Sequence, residues 1–214
     1  MIKHHLSDAL LMAYSAGTLP EAFSLTVAAH ISMCDECRAR LGAFDTVGGA
    51  LMEADTDVSL ADDSFEATLA KIQSAPMQAA SKSVIRAKGV LPKPIQDYVG
   101  GDLEAVKWRS VGMGVKQAIL PTSKDATARL LFIPAGAAVP DHGHRGTELT
   151  LVLQGAFSDE VDHFGAGDIE IANEEVDHTP IADISQDCIC LAATDAPLRF
   201  RSLIPRIAQP FLRI

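Results

Sequence analysis

The chain has 214 residues, of which 48% are hydrophobic and 21% charged, and its formal net charge is −10. This length fits one domain or two small ones, and the apolar fraction is sufficient for a packed globular core. A pI near 5.0 argues against binding to a nucleic-acid backbone or an anionic membrane, and favours a positively charged partner. No run approaches the roughly 20 apolar residues of a membrane span. Polar Ser7 and Asp8 follow too early for a signal peptide.

Four helices are predicted in the first 75 residues. The first is capped by Ser7 or Asp8 and stops before Gly17; it is apolar on more than one face, so it is either buried all round or awaits a partner. Thr18 and Glu21 have capping-box spacing, which predicts the start of a second helix. The third and fourth helices carry apolar residues at helical spacing: Leu41, Phe44, Val47, Leu51 and Met52, then Phe65, Leu69 and Ile72 within Ser64 to Ser74.

A metal-binding pattern lies between the second and third helices. His30 precedes Cys34 by one helical turn and Cys37 follows after two residues, so three zinc ligands converge. The pair His4-His5 offers a fourth ligand. A redox pair would need a βαβ context, and nothing near Cys34 indicates a strand. Two buried cysteines beside a helix histidine are the structural alternative, and the histidine spacing favours zinc. A structural metal would help so small a unit to fold.

Residues 76–94 are polar and proline-rich, which is typical of a linker. Beyond them, short stretches of period-two alternation bounded by turn residues predict strands. The predicted strands are Val106 to Ser110, Val115 to Leu120, Ala128 to Ile133, Glu148 to Leu153, Ile169 to Ala172, Cys188 to Ala192 and Leu198 to Arg201. Such a series without intervening helices indicates an antiparallel barrel or jelly roll.

A second metal-binding pattern lies in this β region. His142 and His144 project from the same side of an extended segment, and Glu148 opens the next strand. His178 returns to the same interior after the turn at Gly165. Three nitrogens and one oxygen suit zinc, iron(II), manganese, nickel or copper.

Three other residues with reactive side chains are interpreted as structural. His163 lies at a predicted hairpin turn and is expected at the surface. Cys188 and Cys190 share one face of a strand, where small buried hydrophobic residues are expected. Four cysteines with two in a metal-like pattern fit a reducing cytoplasm better than a disulfide framework.

Gly136-x5-His142-x-His144-x3-Glu148-x6-Gly155 resembles the first motif of the cupin superfamily, and Gly165 to His178 resembles its second, with glycine at Gly165 where cupins usually have proline. His30-x3-Cys34-x2-Cys37 after an upstream histidine resembles the zinc-binding anti-sigma domain. In this order the two halves resemble the ChrR-type anti-sigma factors over essentially the whole chain. Further matching stretches are His4-His5-x-Ser-Asp-Ala-Leu-Leu, Val139-Pro-Asp-His-Gly-His-Arg145 and Thr194-Asp-Ala-Pro-Leu-Arg-Phe200.

The resemblance implies a multidomain protein: an all-α zinc-binding domain (1–75), a linker (76–94) and an all-β cupin jelly-roll barrel (95–214). It implies a cytoplasmic protein that inhibits an extracytoplasmic-function sigma factor and releases it in response to singlet oxygen or related oxidants, with the cupin domain needed for the response. Neither direct DNA binding nor membrane binding is expected. It also implies two metal sites. Zinc would be bound by His5, His30, Cys34 and Cys37, and a divalent metal, expected to be zinc with Fe²⁺, Mn²⁺ or Ni²⁺ as alternatives, by His142, His144, Glu148 and His178.

An alternative function is a cupin enzyme, such as an iron-dependent dioxygenase, with an accessory zinc module. Beyond the proposed metal ligands, no acid–base or nucleophile pair stands out in the sequence to carry a reaction. The regulatory reading is therefore favoured over catalysis.

Overall fold

The computed structural model describes residues 1–54, 59–75, 89–143, 145–174 and 177–200. Helices dominate the first half and strands the second, so the predicted fold class is confirmed. The helices are α1 (Asp8–Ser15), α2 (Glu21–Met33), α3 (Asp35–Glu53), α4 (Ser64–Ser74) and α5 (Lys93–Val99).

The starts of α1 and α2 show one correct and one wrong prediction. Ser7 caps α1, its hydroxyl oxygen accepting from the Leu10 N–H at 3.3 Å. The predicted capping box at α2 is wrong, because Pro20 occupies the N-cap and the Thr18 hydroxyl donates to the Ala13 carbonyl instead. The Glu21 carboxylate instead accepts hydrogen bonds from outside the helix.

The predicted linker lies mostly outside the described residues, but its last part is ordered and packed. Leu91 is 1% exposed, and α5 begins at Lys93 with Ile95 completely buried against the core. Gln96 reinforces this turn by donating its side-chain N–H to the Leu91 carbonyl at 2.7 Å. The boundaries 1–75, 76–94 and 95–214 remain a prediction, and Leu91 within the predicted linker is packed onto the folded chain.

The β region begins later than predicted. Leu103–Ala105 form a 3₁₀ turn, so the first strand starts at Arg109 rather than Val106. The strands are β1 (Arg109–Gly112), β2 (Val115–Ile119), β3 (Thr127–Ile133), β4 (His142–Gly143), β5 (Glu148–Gln154), β6 (Ala156–Ser158), β7 (His163–Gly165), β8 (Ile169–Ala172), β9 (Asp177–His178), β10 (Ile181–Ala182), β11 (Cys188–Thr194) and β12 (Arg199–Phe200).

Six of these strands form the main antiparallel sheet, in the order β1-β2-β3-β11-β5-β8. Two three-stranded sheets, β10-β6-β7 and β12-β4-β9, complete the β region. The core prediction for Cys188 and Cys190 holds, since both are 1% exposed or less, and His163 is exposed as expected.

The two faces of the main sheet pack in two different hydrophobic cores. Side chains such as Leu130, Leu149 and Leu191 share one core with the buried residues of α2. Their neighbours along each strand, such as Val152 and Cys190, belong to a second core. Because strand side chains alternate, the sheet has one face toward the helices and the other toward the barrel interior.

Part of the helical region is left uncovered. The stripe of Phe65, Leu69 and Ile72 on α4 is 72%, 41% and 67% exposed, and α4 has no buried residue. Val47, Leu51 and Met52 near the end of α3 are also exposed. None of the described helices has both the length and the hydropathy of a membrane span.

Candidate metal centres and the contact between them

Four nitrogen and sulfur donors meet where α2 ends and α3 begins. His5, His30, Cys34 and Cys37 each place one ligand atom within 4.8 Å of the others. His5 Nδ1 lies 3.3 Å from Cys34 Sγ, and His30 Nε2 lies 3.3 Å from Cys37 Sγ. Two sulfurs and two imidazole nitrogens form a donor set typical of structural metal sites. The cluster can therefore hold a metal ion.

Local structure explains why the three-residue pattern converges. His30 lies in the last turn of α2, one turn before Cys34. Cys34 ends α2 in an extended conformation and also caps α3, where its Sγ accepts from the Cys37 N–H at 3.4 Å. One residue thus turns the chain and brings both sulfurs to the side of the histidine.

The electrostatics of the cluster suit a cation. Burial lowers the pKa of His30 to about 4, which keeps its imidazole neutral. Burial raises the pKa of Cys37 to about 11, so its thiolate needs a nearby cation. His5 turns its other nitrogen, Nε2, to within 3.3 Å of Glu36 Oε2, a contact that holds the ring in orientation.

His4 makes a different set of contacts from its neighbour His5. Its Nε2 lies 3.1 Å from Asp162 Oδ2 and its Nδ1 lies 3.5 Å from Asp168 Oδ2, both in the β region. The backbone N–H groups of Lys3 and His4 donate to Asp168 Oδ1 at 2.6 and 3.0 Å. Burial opposes ionisation of Asp168, but these backbone hydrogen bonds outweigh it and lower its pKa. The N-terminal segment is therefore held by the β7–β8 turn.

The second candidate centre lies inside the barrel. β4 pairs with β9 so that His142 stands opposite His178, and their Nε2 atoms are 3.2 Å apart. Glu148, at the start of β5, is 8% exposed and accepts from the Thr150 hydroxyl at 2.9 Å. These three residues line one cavity of about 340 Å³. His144 lies outside the described residues.

Two carboxylates behind His178 were missed by the sequence analysis. His178 Nδ1 lies 2.9 Å from Asp159 Oδ2 and 3.0 Å from Glu170 Oε1. Burial opposes protonation of His178, but its hydrogen bonds to Glu170 and Asp159 raise its pKa to about 9, while burial raises that of Glu170 to about 7. These contacts leave Nε2 directed at His142, the orientation that a metal ligand needs. Asp159, Glu170 and His178 also satisfy the distances of a metal-binding group by themselves.

The same short stretch of chain contacts the barrel centre and the N-terminal segment that carries His5. Asp159 and Glu170 hold His178, whereas Asp162 and Asp168 hold His4, the residue before His5. The backbone of Gly167 adds a further contact, because a Cβ there would lie 2.7 Å from the Ile2 side chain. Residues 159–170, which we call the bridging segment, therefore connect the two candidate centres physically.

The β region matches a known family of domains, and the whole chain matches a known protein. Residues 96–197 match the ChrR cupin-like domain family. The anti-sigma-E factor ChrR of Cereibacter sphaeroides is 62% identical over 213 residues, which cover 100% of this chain and 99% of that protein. The chain belongs to the ChrR family of anti-sigma factors.

A solved structure extends the likeness of this ChrR-family chain to three dimensions. The crystal structure of Rhodobacter sphaeroides SigE in complex with the anti-sigma ChrR matches with a TM-score of 0.80 and 59% identity, covering 91% of this chain and 100% of that chain. The family is a regulatory class rather than an enzyme class, which decides between the two functions that the sequence left open.

Proposed function

We propose that this chain binds an extracytoplasmic-function sigma factor in the cytoplasm, holds it inactive, and releases it in response to singlet oxygen or related oxidants. The observation that carries the proposal is the 62% identity, along the full chain, to a named anti-sigma factor. The structural relative is in complex with SigE, a sigma factor. Two features of the described structure support the same function.

The first feature is the uncovered α4 stripe, formed by Phe65, Leu69 and Ile72. None of the residues of α4 is buried by the described part of the chain, so the helix gains little from packing, and isolated helices of 11 residues are marginal in water. A protein partner that covers the stripe supplies the missing burial, through the mode in which an amphipathic helix fits an apolar groove. The stripe is therefore the proposed contact with the sigma factor.

The second feature is the cluster of His5, His30, Cys34 and Cys37, which we assign as a structural zinc site. Zinc prefers a closed tetrahedron of sulfur and nitrogen ligands, and this set offers four such donors. The site joins the end of α2 to the start of α3 and so constrains the angle between these helices. Zinc binding and correct folding of this domain are expected to be coupled.

The barrel centre is assigned to the response rather than to inhibition. His142, His144, Glu148 and His178 are its proposed ligands, and zinc is the proposed metal. The contacts of Asp159 and Glu170 with His178 make the bridging segment sensitive to the state of that histidine. Any shift of the segment acts on Asp168 and so on the backbone beside His5. This route gives oxidation at the barrel a physical means to disturb the helical domain.

The α4 contact can be tested without disturbing the fold, because all three stripe residues are exposed. Phe65→Asp, Leu69→Asp and Ile72→Asp are each expected to weaken sigma binding at least about tenfold, since each removes an apolar contact of about 1.5–3 kcal/mol and buries a charge. Isothermal titration calorimetry with the purified cognate sigma factor is the measurement.

Ala67→Asp is the matched control, because it adds the same charge to the opposite side of the same exposed helix. It should bind the sigma factor like the unmodified chain. Unchanged affinity in all three stripe variants would reject α4 as the contact, and equal loss in the control would show that charge on the helix, rather than the stripe, matters.

A further inference from the structure

The cavity of the barrel has the size and lining of a small-molecule site. Its volume of about 340 Å³ falls at the lower end of the usual range of about 300–1,000 Å³ for ligand pockets. Much of the lining is apolar and includes Val111, Leu131, Ile133, Val139 and Leu198. The lining also includes the candidate metal ligands and a charged residue that the proposed function does not use, Arg129.

Arg129 is a buried cation whose hydrogen-bonding capacity is not filled. It lies on β3 at a position that faces the barrel interior, and only 7% of its surface is exposed. Its Nη1 donates to Gln117 Oε1 at 3.4 Å, and its buried Nε finds no hydrogen-bond partner among the described residues. Burial disfavours the charged form of Arg129, and Glu148 lies close enough to favour it electrostatically.

Such a residue is costly unless an anion or water completes its contacts. A guanidinium carries five N–H donors and remains charged at all physiological pH values. Removing it from water costs several kcal/mol, which a well-placed carboxylate with two parallel N–H···O bonds can offset. A valine or leucine at this position, like the apolar residues on the rest of this face, would avoid that desolvation cost.

We propose that the barrel cavity binds a small monocarboxylate with an apolar tail, its carboxylate held by Arg129 and its tail packed against Leu131, Ile133 and Val139. The positive group and the apolar wall lie in one enclosed space, so a ligand with both characters satisfies both. The candidate metal ligands His142 and Glu148 line the same space, and an occupant therefore lies beside the proposed sensing centre. Binding would couple the chemical state of that centre to a metabolite or lipid-derived acid.

The probe is sodium octanoate, titrated into the full-length zinc-loaded protein and followed by calorimetry and by ligand-detected saturation-transfer NMR. Saturable binding at one site is expected. Octanol and acetate, which lack the charge and the tail respectively, should each bind at least about tenfold more weakly, the size of one lost charge-assisted hydrogen bond or of a few buried methylenes. Equal binding of octanol and octanoate, or no saturable binding, would overturn the proposal.

The variant Arg129→Gln should lose at least about tenfold in octanoate affinity while leaving that for octanol unchanged. Arg109→Gln, an exposed arginine on β1, is the matched control and should bind octanoate normally. Unchanged octanoate affinity in a folded Arg129→Gln protein would overturn the assignment. If this variant does not fold, the comparison of octanoate with octanol in the unmodified chain decides. Because no sigma factor is present, these results are independent of the proposed anti-sigma function.

Discussion

His4 and His5 are adjacent in the sequence, yet they make opposite kinds of contact. His5 faces two sulfurs across about the distance that a shared metal ion spans, whereas His4 lies between two aspartates of the β region. Neighbouring residues of an extended segment project in opposite directions, which allows one short stretch to serve both. The pair therefore joins the metal cluster of the helices to the bridging segment.

Separate substitution of the two histidines should separate these roles. His5→Ala removes one of the four proposed zinc ligands and should release zinc and unfold the helical domain, because the remaining buried donors lose their partner. His4→Ala should keep zinc but lower the thermal stability of the contact with the β region. Zinc content by atomic absorption and helix content by circular dichroism are the measurements. Zinc loss in His4→Ala with retention in His5→Ala would reverse the assignment of the ligand.

Which histidine faces the sulfurs could not be read from the residues alone, because both precede α1 and both could reach Cys34. The resemblance to the anti-sigma domain selected His5, and the structure places its Nδ1 beside the cysteines. Asp159 and Glu170 were not predicted either. Their contacts with His178 join residues 8 and 19 positions apart in the chain, through tertiary packing that no local sequence pattern shows.

At the scale of elements, the longer strands and the two-residue β12 were predicted, whereas the short strands β4, β6, β7, β9 and β10 were not. β2, β3, β5, β8 and β11 were predicted from their runs of apolar residues, and β5 and β11 are buried on both faces, one face in each core. α5 was not predicted, because Pro92 and Pro94 are also typical of a linker. Proline also favours helix starts, and here Pro92 is the N-cap of α5. Only the burial of Ile95, which depends on the tertiary structure, distinguishes a helix start from a linker here.

α5 is fastened to α2 by a hydrogen bond that can be followed by titration. The Tyr98 hydroxyl donates to Glu21 Oε1 at 2.6 Å, and this bond raises the pKa of Tyr98 to about 12. The bond contributes stability below the ordinary tyrosine pKa of about 10 and loses it as the pH rises toward 12. Absorbance of tyrosinate, taken as the difference from a Tyr98→Phe chain, should show Tyr98 still protonated at about pH 11.

Glu21→Gln is the test of the cause, because it removes the acceptor charge while keeping the side-chain shape. Tyr98 should then ionise closer to pH 10. A Tyr98 titration at the ordinary value in the unmodified chain would show that the hydrogen bond is not formed in solution.

The turn between β7 and β8 has a backbone requirement that a single substitution can expose. Gly167 has φ of 93°, and an added Cβ would lie 2.7 Å from two carbons of Ile2. Gly167→Ala is therefore expected to cost about 1–3 kcal/mol, through backbone strain and displacement of the N-terminal segment. Thermal unfolding by calorimetry is the measurement.

Gly48→Ala is the contrasting control, because Gly48 lies within α3 and nothing lies within 4 Å of an added Cβ there. It should stabilise the helix by about 0.5–1 kcal/mol, since alanine loses less backbone entropy. Equal effects in both variants would show that the contact between Gly167 and Ile2 does not hold the segment.

At the scale of the whole molecule, the two halves are joined by more than a tether. The residues of α2 and the outer face of the main sheet form one core, and α2 also carries His30. The opposite face of that sheet carries Glu148 and lines the barrel cavity. A rearrangement of β5 therefore reaches α2 through a packed interior, in which side chains shift between discrete arrangements rather than deform continuously. The bridging segment supplies a second, polar connection.

Two states joined in this way need only a moderate difference in sigma affinity to form a switch. A change of about 3 kcal/mol, roughly a hundredfold, lies in the ordinary allosteric range, and it must come from contacts that differ between the states.

His142→Ala, His144→Ala and Glu148→Ala alter the barrel without touching α4. They should therefore inhibit the sigma factor normally in the dark and fail to release it under a photosensitiser in light. Lys124→Ala, an exposed residue between β2 and β3 and outside the bridging segment, is the control and should respond normally. A sigma-dependent reporter in cells is the measurement; full induction in the three barrel variants would show that sensing lies elsewhere in the chain.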